Sequence, residues 1–198
     1  MKGCDVVGIV IEGLTKSFGE KKVLDNFSLC VADGENIAIM GESGSGKTTL
    51  LNIISGIIKQ DSGIISGIKN KRISFVFQED RLAENFSVYR NIKLVCKKSV
   101  SKKDITEALK MTGLEEKVIY TKVCDLSGGM KRRVSIVRAI LYDGDILLLD
   151  EPTKGLDEQN QRIVIDYILA ASKHKTVLWV THDEDEARYI SDRIIKID

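Results

Sequence analysis

The apolar positions of this chain fall into short runs and helical stripes. Residues 9–14 and 26–31 carry strand-like runs, and Phe18-Gly19-Glu20-Lys21-Lys22 between them reads as a hairpin-like turn. Asn36-Ile37-Ala38-Ile39-Met40 is a short apolar strand leading directly into a glycine-rich segment. Residues 47–57 then space Leu50, Leu51, Ile54 and Ile57 as a buried helix would. Residues 73–77 read as another strand, ending at Gln78. Residues 128–142 predict a helix with Met130, Val134, Val137 and Leu141 on one face. Residues 146–149 are apolar at every position and bounded by aspartates, as in a central parallel strand buried on both faces. Residues 158–171 predict an amphipathic helix that Asp157 could cap, residues 176–180 a buried strand, and residues 194–197 a last one.

Between residues 79 and 125 the strand-like runs thin out and charge rises. Ser101-Lys102-Lys103-Asp104 has the capping-box pattern, with Ile105, Ala108 and Leu109 at helical spacing behind it. This stretch reads as a small helical subdomain inserted into a larger α/β domain. Neither a repeat nor a low-complexity tract interrupts the chain.

Composition narrows the class. A length of 198 residues fits one compact domain with a small insertion, and 43% hydrophobic residues can build its core. Thirty Lys and Arg balance 29 Asp and Glu, which offers no sign of a nucleic-acid partner. Cys4, Cys30, Cys96 and Cys124 are scattered, and read as reduced cytosolic thiols, mostly buried, rather than a metal site. No apolar run reaches the roughly 18–20 residues of a membrane helix, and the N-terminal residues lack a signal-peptide core. The expectation is a protein soluble when isolated, reaching a membrane only through a partner.

Three motifs carry the chemistry. Gly41-Glu42-Ser43-Gly44-Ser45-Gly46-Lys47-Thr48 fits Gly-x-x-x-x-Gly-Lys-[Ser/Thr], the Walker A pattern, with a strand before it and a helix after it. Its backbone N–H groups and the following helix dipole suit phosphates. Lys47 is then placed to reach the β- and γ-phosphates, Thr48 to ligate Mg²⁺, and Thr49 to help hold the α-phosphate. Asp150 ends an apolar strand where it can reach the magnesium ion, and Glu151 projects differently, toward the γ-phosphate. Ser127-Gly128-Gly129 opens a helix and offers a second set of anion-receptive N–H groups. On one ATP within one chain that second site is redundant; facing the nucleotide of a partner copy, it is not.

Taken together, these motifs resemble the ATP-binding cassette family, and the resemblance covers nearly the whole chain. Leu126-Ser127-Gly128-Gly129 followed by Arg132-Arg133-Val134 looks like the cassette signature. The resemblance implies a P-loop NTPase fold with a mostly parallel central sheet and an N-terminal antiparallel β region. It places residues 1–78 and 126–198 in the core and 79–125 in the helical subdomain. It makes Glu151 the residue that polarises the attacking water, and Gln78 the glutamine-loop residue touching Mg²⁺ and that water. His182 becomes the switch histidine on the γ-phosphate, and Phe18, with Val23 flanking, the platform for adenine. Leu156-Asp157 resembles the segment that crosses the dimer interface, where Lys154-Gly155 departs from the usual small pair.

The family likeness also implies partners: a second nucleotide-binding subunit, identical or homologous, and membrane permease subunits contacting the region after Gln78. A solute-binding protein of the same system is a further expected partner, and the chain itself is expected at the cytoplasmic face of the membrane, bound peripherally. Phe75-Val76-Phe77-Gln78-Glu79-Asp80-Arg81-Leu82 looks like the glutamine-loop region of nitrate, sulfonate and taurine importers. Small exporters and lipoprotein-releasing systems share the same core. Cassettes of DNA repair and chromosome organisation separate the two motif groups by a long coiled coil, whereas Lys47 and Ser127 are about 80 residues apart without heptads. Translation cassettes generally carry two copies in one chain. A degenerate, non-hydrolysing module is disfavoured because every expected catalytic position is filled. The short C-terminal stretch after His182 suggests a dimer that relies on membrane subunits for stability.

Overall fold

The computed structural model describes residues 7–197, so Cys4 and the N-terminal residues read above lie outside the described residues. The described chain divides into two units. The first comprises residues 7–75, 145–150 and 174–197, the second residues 76–144 and 151–173.

Two sheets build the first unit. β1 (Val7–Phe18) and β2 (Lys21–Ala32) form an antiparallel hairpin, and β4 (Ser62–Ser66) adds antiparallel to the other edge of β1. The second sheet runs β5 (Ile73–Val76), β6 (Ile146–Asp150), β7 (Thr176–Val180), β3 (Asn36–Met40) and β8 (Arg193–Lys196) in spatial order. The pairs β6–β7, β7–β3 and β3–β8 are parallel. All five residues of β6 and of β7 are buried, as expected for strands covered on both faces. The register sets Ile39 and Asp150 each beside Val180, so β3, β6 and β7 end at one level.

An apolar cluster shared by the two sheets takes in Ile9, Leu14 and Leu24 with Ile37, Leu50, Leu148 and Val180. Each such side chain, fully withdrawn from water, contributes about 1.5–3 kcal/mol. α1 (Lys47–Ile54) packs on β6 and β7, and α6 (Glu184–Ile190) on β3 and β8.

Helices build the second unit: α2 (Val88–Lys93), α3 (Lys102–Met111), α4 (Gly128–Tyr142) and α5 (Glu158–Ala171), with 3₁₀ turns at Glu116–Tyr120 and Val123–Asp125. α4 packs against α2, α3 and α5. The capping box forms as the sequence predicts, Ser101 accepting from the Asp104 N–H and Asp104 from the Ser101 N–H. Asp157 caps α5 by accepting from the Asn160 N–H at 2.9 Å.

Several expectations need correction. α1 stops at Ile54, not at residue 57, and Ile57 is 52% exposed. There the Ile57 and Ile58 N–H groups fold back onto the Asn52 carbonyl, with Gly56 at φ +79° making the left-handed turn. The cysteines are not mostly buried: Cys30 and Cys96 are half-buried and Cys124 is exposed. Cys30 alternates along β2 with the buried Leu29 and Val31, which puts it on the other face. β4 and α6 were not anticipated, because four of the five β4 residues are exposed and α6 buries only Ala187 and Ile190.

Candidate functional site

In the first unit the chain leaves β3 at Gly41 and curls into the N-terminus of α1. Gly41 tolerates no side chain, since a Cβ there would stand 2.1 Å from the Ile197 carbonyl oxygen and 2.7 Å from Ser45 Oγ. Gly46, the N-cap of α1, sits at φ +99° with the Val23 and Leu24 side chains of β2 behind it. No side chain caps α1 and no acidic residue occupies its first turn, which leaves the positive end of its dipole without a carboxylate from that turn.

Lys47 is 6% exposed, and its ammonium donates to the carbonyls of Gly41 at 2.9 Å and Glu42 at 2.6 Å. A buried cation is thereby held inside the ring of the loop. Ser45 Oγ is buried without a hydrogen-bond partner, an orphan that a phosphate oxygen would satisfy. Glu42, Ser43, Gly44 and Thr48 are exposed along the rim, and Thr49 is half-buried. Phe18, at the tip of the hairpin, is 50% exposed, with the Lys16 ammonium 5.4 Å from its ring centre. Val23 is half-buried. Lys21, an unanticipated neighbour, brings its ammonium within 3.8 Å of where a Cβ on Gly44 would lie.

Asp150 closes β6 with only 2% exposure, and His182 follows β7 on an exposed turn. That turn is fixed on both sides. Thr181 Oγ1 bonds the Glu186 carboxylate and accepts from the Asp183 N–H, while Asp183 caps α6 through the Asp185 and Glu186 N–H groups.

In the second unit, Gln78 and Glu151 meet: Gln78 Nε2 lies 3.4 Å from Glu151 Oε2. Glu151 adopts φ +48°, a left-handed conformation costing a non-glycine residue about 1–3 kcal/mol. Lys154 Nζ donates to the same Oε2 at 2.6 Å. Arg132, 5% exposed, holds the segment from behind, donating to the carbonyls of Phe77 at 2.6 Å, Gln78 at 2.7 Å and Glu151 at 3.4 Å. Asp80 lies 3.3 Å from that guanidinium. Burial pushes the Asp80 carboxyl up, and Arg132 is the largest influence opposing it.

At the start of α4, Ser127 accepts from the Met130 N–H at 3.3 Å, and Ser127 and Gly128 are exposed. Gly129 backs onto Leu156, whose Cδ2 would lie 3.3 Å from an added Cβ. As in α1, the first turn contains no acidic residue.

Arg132 and Lys154 are the residues whose contacts motif reading misses. The signal for Arg132 was present: it shares one helical face with Ser135, Ile136 and Ala139, all buried, and a charge on a buried stripe requires an internal partner. Lys154 carries no such signal, since its contact depends on the turn it sits in.

A glycine cradle at the carboxyl ends of parallel strands, with a buried lysine and an uncapped helix behind it, defines a P-loop nucleotide-binding protein. Residues 24–154 match the ABC transporter family, and the chain belongs to that family. Among curated relatives, it is 34% identical to the spermidine/putrescine import ATP-binding protein PotA of Pasteurella multocida (94% of this chain, 55% of that protein). It is 35% identical to the sulfate/thiosulfate import ATP-binding protein CysA of Escherichia coli K12 (96% and 57%). The chain thus spans little more than half the length of these relatives. Among solved structures, a dimeric ATP-binding cassette in a post-hydrolysis state with ADP and Pi superposes with a TM-score of 0.86 at 32% identity, covering 96% of this chain and 94% of that one. A dimeric bacterial ABC transporter cassette gives 0.85 at 32% identity, with the same coverage.

Proposed function

We propose that this chain is the ATP-binding and ATP-hydrolysing subunit of an ABC transporter, two copies closing around two ATP to drive import through separate membrane subunits. The observation that carries the proposal is a pair of glycine-led helix N-termini free of acidic residues, α1 behind Gly46 and α4 behind Ser127. One triphosphate needs one of them; the second suits the γ-phosphate on another copy. The import direction follows the printed names of the relatives.

In this reading Gly41, Glu42, Ser43, Gly44, Ser45 and Gly46 wrap the phosphates, Lys47 neutralises the β- and γ-oxygens, and Thr49 holds the α-phosphate. Phe18 stacks on adenine and Val23 flanks it. Glu151 accepts the proton of the attacking water, Gln78 and His182 align that water and the γ-phosphate, and Ser127, Gly128 and Gly129 serve the partner's nucleotide. The Thr48 hydroxyl, the Gln78 amide oxygen and the Asp150 carboxylate are hard oxygen donors that fit Mg²⁺. Bound there, Mg²⁺ supplies neutralisation of the developing phosphate charge.

Residues 79–125 act as the inserted helical subdomain. The segment after Gln78 docks the permease, at the cytoplasmic face of the membrane. No helix among the described residues is long and apolar enough to cross a membrane.

Turnover measured against protein concentration tests the proposal. The rate per chain is expected to rise with concentration as pairs form. S127R keeps binding a fluorescent ATP analogue but loses that turnover, and E151Q binds ATP, accumulates as a dimer and stops hydrolysing. A rate per chain independent of concentration, with no association detected, would overturn the composite site.

A further inference from the structure

We propose that Lys21 is a second phosphate-binding lysine of the nucleotide site, set against the open side of the glycine loop at Gly44. This rests on the reading of residues 41–48 as the cradle of a nucleotide's phosphates, and every group involved belongs to the first unit. β2 runs alongside that loop. Val23 backs Gly46, its carbonyl oxygen 2.8 Å and its Cγ1 3.0 Å from where a Cβ on Gly46 would stand. Side chains two apart on a strand share a face, so Lys21 meets the same loop nearer the hairpin tip. Its ammonium lies 3.8 Å from where a Cβ on Gly44 would stand. Among the described residues, nothing beyond the chain neighbours of Gly44 comes as close to that position.

The other lysines of the hairpin tip are committed elsewhere. Lys16 pairs with Asp61 at 2.7 Å and Lys22 with Asp25 at 3.0 Å. Lys21 is exposed, and among the described residues its ammonium makes neither an ion pair nor a hydrogen bond. Lys47 is its opposite, buried and fixed inside the ring by the Gly41 and Glu42 carbonyls. The loop thus has one ammonium locked within it and one uncommitted beside it. Phe18 is the register partner of Lys21 across the turn, so a nucleotide stacked on Phe18 with its phosphates in the loop runs past Lys21. An ammonium offers three N–H donors and a point charge, which serves a phosphate oxygen without a fixed angle. Water and salt screen an exposed cation, which keeps its contribution modest, but a polyphosphate gives it several charges to meet. The same phosphate oxygens are present before and during hydrolysis, so Lys21 contributes binding and not rate.

The test compares full-length wild type, K21M, K21R and K22M. Displacement of a fluorescent ATP analogue gives Kd for ATP and for inorganic tripolyphosphate at low and at high salt. K21M is expected to weaken both ligands by about fivefold to twentyfold at low salt, the gap closing to about twofold at high salt. Its KM for ATP rises by the same factor, while kcat at saturating nucleotide stays within about a factor of two. K21R, which keeps the charge, binds both ligands within about a factor of two of wild type. K22M, whose lysine is held by Asp25, also stays within about a factor of two. Unchanged affinity in K21M overturns the proposal. So does a loss for ATP with none for tripolyphosphate, which would put Lys21 on the base or the ribose. An equal loss in K22M overturns it too, by reducing the effect to general surface charge. Undiminished ATP binding by K47A would instead remove the phosphate cradle on which the proposal rests.

Discussion

Replacing Arg132 with methionine is expected to loosen the second unit and suppress hydrolysis together. Its guanidinium makes two short bonds to main-chain carbonyls, 2.6 Å to Phe77 and 2.7 Å to Gln78, a long one to Glu151, and an ion pair with Asp80. Hydrogen bonds to a charged group contribute about 1.5–3 kcal/mol each, which puts the two short ones near 3–6 kcal/mol. The 3.4 Å contact adds little. Losing the arginine also takes from Asp80, whose side chain is 25% exposed, its strongest counter-charge, with Arg138 and Lys131 left as the weaker ones. Burial already raises that carboxyl, so it can take up a proton, which limits the penalty. The expected loss is about 3–5 kcal/mol, the range for breaking a buried pair.

R132K keeps the charge but cannot fork across two carbonyls, and about half that loss is expected. Urea unfolding followed by circular dichroism measures the total, and hydrogen exchange locates it at residues 77–80 and 151. Adding D80N to R132M is expected to recover part of the loss, as coupled neighbours do. A loss below about 1 kcal/mol would refute the clamp, because no network of short charged bonds is that weak. So would deprotection spread evenly over the second unit.

S45A removes a buried hydroxyl with no partner, so the nucleotide-free chain is expected to melt no earlier than wild type while its ATP-induced melting shift shrinks; a less stable free chain would contradict this. G41A drives a methyl into the Ile197 carbonyl and is expected to abolish retention on immobilised ATP; normal retention would show that the loop relaxes freely. Burial raises the Tyr167 hydroxyl far above its ordinary value. The unfolded chain therefore loses that proton first, near pH 10, and stability falls from there upward by at most about 1.4 kcal/mol per pH unit. Y167F is expected to flatten this slope between pH 10 and 12, and equal slopes in chemical denaturation would refute the assignment.

Much of the architecture is legible in the one-dimensional pattern, because local causes set it. Residues 36–40, 128–142, 158–171 and 176–180 are read with the bounds the structure shows, since an apolar run or a 3.6-residue stripe between clear stop signals leaves little choice. The caps at Ser101 and Asp157 are equally local, each an oxygen meeting an N–H three residues ahead. β4 and α6 escape the reading because they are mostly exposed and carry almost no apolar contrast.

The site divides along the same line. Gly41, Lys47 and Ser127 announce an anion-binding chemistry from residue type and spacing, because backbone N–H groups and helix dipoles are built within a few residues. No spacing rule states that Lys47 folds back onto the Gly41 and Glu42 carbonyls, or that Ser45 Oγ is left unpaired. Nor does any rule place Arg132 against Phe77 and Gln78, 55 and 54 positions away along the chain. Such contacts depend on which segments pack together, and burial then makes each charge or hydroxyl costly unless a partner is found. Residue type and spacing are enough to state the kind of chemistry and the elements that carry it. Which groups are restrained, orphaned or clamped was decided only by the tertiary structure, because distance and dielectric exist only once the chain has folded.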